Sequence, residues 1–144
     1  MRARDFLSHL SNEQIISAIR EAENKTSGEI RVFISRKEID DPFSAAQSHF
    51  VELGMQKTRE RNGVLIFVAP RVHKFAVIGD KGVHARCGMD FWEKLTAEMS
   101  DRFKISDFTQ GIVHGVKKAG ELLAKHFPRK PDDLNELPDE VLGE

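Results

Sequence analysis

The stretch Val64–Ala69, "VLIFVA", places the tightest limit on the fold. Every side chain in it is apolar, so neither face of an extended segment here can meet water. A short run of this kind is a strand covered by further layers on both sides. The turn "PRVH" follows, and Lys74–Ile78 then returns as a second strand, antiparallel to the first. Upstream, "EIRVFIS" alternates, with Ile30, Val32 and Ile34 on one face, and reads as a third strand. Between these strands the spacing predicts a helix over Pro42–Met55, with Phe43, Ala46, Phe50 and Leu53 turned inward. A strand, a helix and a strand in succession imply a right-handed crossover and a parallel pair.

Three more helices are expected. Ser11 and Gln14 have capping-box spacing, and Ile15, Ala18, Ile19 and Ala22 form the stripe of a helix ending at Glu23. Asp90 and Glu93 repeat that spacing ahead of Trp92, Leu95, Met99 and Phe103. Another helix starts near Asp107, with Phe108, Ile112, Val116, Ala119 and Leu123 inward. Gly111 and Gly115, one turn apart on it, suit a close helix crossing. The class is therefore α/β: a small mixed sheet, with one βαβ crossover and one hairpin, and helices on both faces. Residues 1–127 form the domain. From Pro128 the helical stripe stops, carboxylates outnumber basic groups, and residues 128–144 read as an extended or disordered acidic tail.

Composition excludes several classes. The net charge of −1, with both signs interspersed, offers no basic face for nucleic acid. No stretch approaches the roughly 20 apolar residues that span a bilayer, and the first residues lack the apolar core of an export signal. Cys87 is the only cysteine, which fits a reducing compartment. The expected address is the cytoplasm.

The chemistry concentrates around "GDKG", Gly79 to Gly82. If Ala69 pairs with Lys74, counting outward sets Asp80 opposite Gly63, beside Asn62. The parallel crossover brings Glu29 to the same sheet edge, neighbouring strands being about 4.8 Å apart. Thr58, Glu60 and Arg61 precede the central strand on that edge, and Asp90 opens a nearby helix. Glu29, Asn62, Asp80 and Asp90 are hard oxygen donors, a set that suits Ca²⁺ or Mg²⁺ and not zinc. Ordinary turn, cap and ion-pair chemistry accounts for the same residues. "GDKG" lacks the rest of a phosphate-loop pattern, and no helix is expected directly after it. Cys87 has no arginine at the spacing of a phosphate-cradling cysteine loop, and neither a Cys–His pair nor a nucleophile elbow is visible. Asp40 and Asp41 before Pro42 read as a turn into the helix.

The segments "TSGEIRV", "ELGMQKTRERNGVLIFVAP", "FAVIGDKGV", "DFWEKL" and "GELLAKHFP", in this order, resemble the TPM domain. That family groups thylakoid-lumen acid-phosphatase-like proteins, photosystem II repair factors and a nematode acetylcholine-receptor modulator, and "DDLNELPDEV" is similar to the end of its soluble bacterial members. The resemblance covers about residues 10 to 128. It implies a three-layer α/β/α sandwich and calcium binding near strand-end loops. Its motif positions fall on Glu29, Thr58, Asn62, Gly63, Gly79, Asp80, Gly82 and Trp92. Together these expectations describe a cation-binding accessory domain with an unidentified protein partner. The alternative is a metal-assisted acid phosphatase acting on phosphomonoesters, with Arg61 or Lys81 on the phosphoryl oxygens. A third reading is an interaction module without an ion.

Overall fold

The computed structural model describes residues 11–88, 90–105, 107–129 and 141–144. In chain order the elements are α1 (Asn12–Glu23), β1 (Glu29–Ile34), α2 (Pro42–Glu52), β2 (Gly63–Ala69), β3 (Lys74–Gly79), α3 (Lys81–Cys87), α4 (Asp90–Lys104), α5 (Phe108–His126) and β4 (Val141–Gly143). The strands form one mixed sheet in the order β3-β2-β1-β4. β1 runs parallel to both β2 and β4, while β2 and β3 form the hairpin, with Ala69 opposite Lys74 as expected.

Alternation along the strands divides the core in two. Ile30, Val32, Ile34, Val64, Ile66 and Val68 face α1, α4 and α5, and meet Ile15, Ile19, Leu95, Met99, Ile112, Val116 and Leu123. Phe33, Leu65, Phe67 and Ala69 face the other way, against Ala46, Phe50 and Met55. All seven residues of β2 are buried, as a strand enclosed on both faces must be. Burying each large apolar side chain in these layers contributes roughly 1.5–3 kcal/mol. The sandwich has helices on both sides of a central sheet.

Local chemistry sets the boundaries. Ser11 caps α1 by accepting from the Gln14 amide, and Asp41 caps α2 by accepting from the amides of Phe43 and Ser44. These bonds satisfy amides that a helix start otherwise leaves without partners. The Ser44 hydroxyl and amide are the chief reasons the Asp41 carboxyl lies below its usual range. At Gly111 a Cβ would fall 2.5 Å from Phe103, and at Gly115 it would fall 2.7 Å from Met99, so both glycines admit the close crossing of α4 and α5.

Four expectations need correction. α2 stops at Glu52 and not at Met55, because Gly54 adopts the left-handed conformation (φ 71°) that ends helices, and Met55–Lys57 forms a 3₁₀ turn. Phe43 is half exposed at 53%, so the inward stripe of α2 begins at Ala46. A short helix, α3, does start directly after Asp80. Within the tail, residues 130–140 lie outside the described residues, but Val141–Gly143 is extended and paired with β1.

Candidate functional site

The edge where β1 and β2 begin and β3 ends is held by one tight loop. Thr58 accepts from the Arg61 amide through its carbonyl, at 3.3 Å, and from the Asn62 amide through Oγ1, at 3.2 Å. This closure puts Arg61 in the left-handed region at φ 54°, which costs a side-chain-bearing residue about 1 kcal/mol. The neighbouring segment offsets that cost. Arg61 donates through Nε and Nη2 to the two oxygens of Asp80, at 2.8 and 3.0 Å. Its carbonyl accepts from the Gly82 amide at 2.9 Å. A Cβ on Gly82 would stand 2.2 Å from the Glu60 carbonyl oxygen and 2.7 Å from that of Arg61, so only glycine permits the approach.

Asp80 thereby joins three structures. Its amide extends the β2–β3 ladder to the Gly63 carbonyl at 2.9 Å, its Oδ1 accepts from the Lys81 amide at 2.7 Å as the cap of α3, and its carboxylate grips Arg61. The side chain of Asp80 is 5% exposed, that of Arg61 41%. The hydrogen bond to Asp80 raises the arginine's pKa further, so this guanidinium stays a cation.

On the other side of the loop, Asn62 is 1% exposed. Its Nδ2 donates to Ser27 Oγ at 3.2 Å and, more weakly, to Glu60 Oε2 at 3.4 Å, while Ser27 Oγ donates to the same Glu60 oxygen at 2.6 Å. Asn62 Oδ1 is buried and accepts no hydrogen bond. Glu29, 2% exposed, lies opposite Gly63 in the parallel ladder, and its amide donates to the Asn62 carbonyl at 3.4 Å. Glu29 and Asp80 therefore flank Gly63 from the two neighbouring strands.

The structure thus brings Glu29, Asn62 and Asp80 to one edge, as the register argument required. Asp90 stays apart. It is exposed as the first residue of α4, where with Glu93 it complements the helix dipole, and its side chain makes no hydrogen bond or ion pair among the described residues. Lys81 is exposed at the start of α3, and Arg61 is occupied by Asp80. Among the described residues no group of three or more His, Cys, Asp or Glu stands close enough to share an ion. Ser27 was not singled out from the sequence. It lies in the "KTSG" break, and only the folded loop shows its hydroxyl bridging toward Asn62. Burial raises the Cys87 thiol, with Arg86 opposing the effect, so nothing activates it as a nucleophile. A cleft of about 220 Å³ lined by Phe75, Phe103 and Phe108 opens at the opposite end of β2, away from these carboxylates.

Residues 1–122 match the model of the TPM domain. The chain belongs to the TPM domain family. This TPM domain is 42% identical to the BA42 protein of the psychrophilic bacterium Bizionia argentinensis, whose solution structure it matches with a TM-score of 0.86 over 94% of this chain and 96% of that one. It also matches the N-terminal domain of the cg2496 protein of Corynebacterium glutamicum, with a TM-score of 0.60 over 95% of this chain and 82% of that one. At 14% identity, the second likeness speaks for the fold alone. No curated protein matches the chain. No described helix of the domain is long and apolar enough to cross a membrane.

Proposed function

We propose that this TPM domain binds a divalent cation, Ca²⁺ or Mg²⁺, at the Glu29–Asn62–Asp80 edge and acts as an accessory domain toward a protein partner. The observation that carries the reading is Asn62 Oδ1, a buried carbonyl oxygen without a hydrogen bond. Leaving such a group unsatisfied costs about 1–3 kcal/mol, and a hard cation would satisfy it. Oxygen-bearing side chains lie nearby: Ser27 and Glu60 are bonded to the Nδ2 end of the same amide, and Glu29 follows on the neighbouring strand, a set in keeping with calcium or magnesium chemistry. Asp80 would join them by releasing Arg61. When bound, the ion would cross-link the strand ends that the Thr58–Asn62 loop already holds. The phosphatase alternative has less support, because the Arg61 guanidinium is paired with Asp80, whose negative charge would oppose a phosphoryl group beside it.

Amide NMR with Ca²⁺ and Mg²⁺ titrated into the full chain tests the reading. The expected shifts fall on Ser27, Glu29, Asn62, Gly63 and Asp80. The melting temperature should rise, since a ligand at 100 times its Kd stabilises by about 2.7 kcal/mol. Arg61→Ala should tighten binding by removing the competing guanidinium, and Asn62→Ala should weaken it. Amides indifferent to millimolar calcium and magnesium would refute the site. Hydrolysis of p-nitrophenyl phosphate that is abolished by chelator and by Asp80→Ala would favour the phosphatase instead.

A further inference from the structure

At the far end of β1 a second carboxylate is held in a different way. β4 lies along the outer edge of β1, with Val141 opposite Val32, Leu142 opposite Phe33 and Gly143 opposite Ile34. The Glu144 amide donates to the Ile34 carbonyl at 3.3 Å, and the Arg36 amide donates to the Glu144 carbonyl at 3.1 Å. Glu144 Oε2 accepts from Ser35 Oγ at 2.7 Å and meets His49 Nε2 at 3.1 Å, while Oε1 pairs with Lys37 Nζ at 3.0 Å. The His49 ring stacks on Phe33, 4.2 Å between centroids, which fixes its position from below.

We propose that the edge of β1, with Ser35, Lys37 and His49, is a docking site for an extended peptide of the pattern apolar–apolar–Gly–Glu, and that β4 fills it from the same chain. Each position of the pattern is read separately. Val141 packs on the core of α1, α4 and α5, and Leu142 packs on the core of α2. The third position has no room for a side chain, because a Cβ on Gly143 would lie 2.9 Å from the Ile34 carbonyl oxygen. The fourth must carry a carboxylate to meet two hydrogen-bonding side chains and a lysine. This is recognition by strand addition, in which the main chain supplies affinity and alternate side chains supply specificity.

Two features make the occupant exchangeable. Among the described residues three of this strand pair with β1, and Val141 and Leu142 are half-buried, whereas every residue of β1 is buried. The tether is also long. Pro128 is bridged to Thr26, so the chain has to advance only from beside Thr26 to beside Val32, about 20 Å at roughly 3.3 Å per strand residue. Arg129 is itself bonded to the Lys25 carbonyl at 3.3 Å, so the residues numbered 130–140 make the link, and at roughly 3.3 Å each their contour exceeds that span. A partner carrying the same pattern would therefore compete with a tethered strand at an effective concentration on the order of millimolar. The inference deepens the interaction half of the proposed function and is independent of the ion, so its failure would leave the calcium titration unaffected.

The test uses the full chain and a fluorescent peptide, Asp-Glu-Val-Leu-Gly-Glu. Glu144→Lys sets two cations together and should release β4, and Gly143→Ala should release it sterically while leaving Ser35, Lys37 and His49 in place. Both variants should bind the peptide roughly tenfold or more tightly than the unaltered chain, with amide shifts centred on Val32–Lys37 and His49. Replacing the peptide's glycine by alanine, or its last glutamate by glutamine, should each weaken binding by about tenfold, the worth of one charge-assisted or sterically critical contact. Equal binding to all three chains, or indifference to the glycine replacement, would overturn the proposal.

Discussion

The two ends of β1 each fix a carboxylate against a cation, and they do so by opposite means. At the Glu29 end, Asp80 is embedded by backbone: a ladder bond to Gly63, the cap of α3, and the Gly82 contact that clamps Arg61 in place. At the Ser35 end the Glu144 backbone pairs with Ile34 and Arg36, but its carboxylate is held by side chains alone, one of them Lys37, which is 68% exposed. Groups locked by main chain move only if the local fold moves. Groups held by side chains exchange at the cost of a few surface contacts. The ion is therefore proposed at the first end and the replaceable strand at the second.

This contrast implies unequal penalties for disturbing the two ends. Gly82→Ala should be the most damaging single change, because its methyl meets two backbone carbonyls that cannot rotate away. A loss of about 3 kcal/mol in chemical denaturation is expected. A loss under about 1 kcal/mol would mean that the clamp yields and the contrast is false. Asp80→Ala comes next. It removes the cap of α3 and the partner of Arg61, and about 2 kcal/mol should follow. Asp80→Asn keeps an acceptor for the Lys81 amide and should cost less than the alanine variant.

How far each end could be read from sequence follows the same division. The hairpin register was countable because β2 and β3 are joined by a short turn, and it carried Asp80 to Gly63 correctly. Glu29 followed from the parallel direction of the crossover, which sets the starts of β1 and β2 at one edge. The Arg61–Asp80 pair was not legible, since it depends on the left-handed backbone of Arg61, which no pattern of residue types announces. α3 was hidden by its glycine and by its single buried residue, Val83, which gives no stripe to detect. The Glu144 cluster joins residues about a hundred positions apart across a proline-rich segment. Three paired residues carry too little periodicity to register as a strand.

Removing residues 130–144 breaks the second end as a whole. The edge of β1 would lose its paired strand, and Val141 and Leu142 would no longer cover the two cores. A loss of about 1–2 kcal/mol is expected, which for a domain of this size lowers the melting temperature by several degrees, at roughly 4 °C per kcal/mol. An unchanged melting curve would show that β4 is not seated in solution. It would leave the first end untouched.

The smallest expected effect is one of pH, and it isolates Glu144 from the rest of its strand. Burial alone would raise this carboxyl, but the hydrogen bonds from Ser35 and Lys37, with the charges of His49 and Lys37, outweigh it and hold the folded value below the ordinary 4.5. A depressed folded value means that the ionised group stabilises the docked strand above pH 4.5, and that this contribution is lost as the pH falls through the folded value. The titratable groups facing it are His49, Lys37 and, through His49, Glu52. Because the pairs are partly solvated, the contribution should be under about 1 kcal/mol, too small for a reliable melting shift but visible in the Gly143 and Glu144 amide resonances. Those resonances should move toward undocked positions in acid. Glu144→Gln should remove the acid transition and leave the tail in one partly docked state at every pH. If the variant titrates like the unaltered chain, the carboxylate of Glu144 is not what fastens β4, and the strand is held by its backbone in the same way as Asp80.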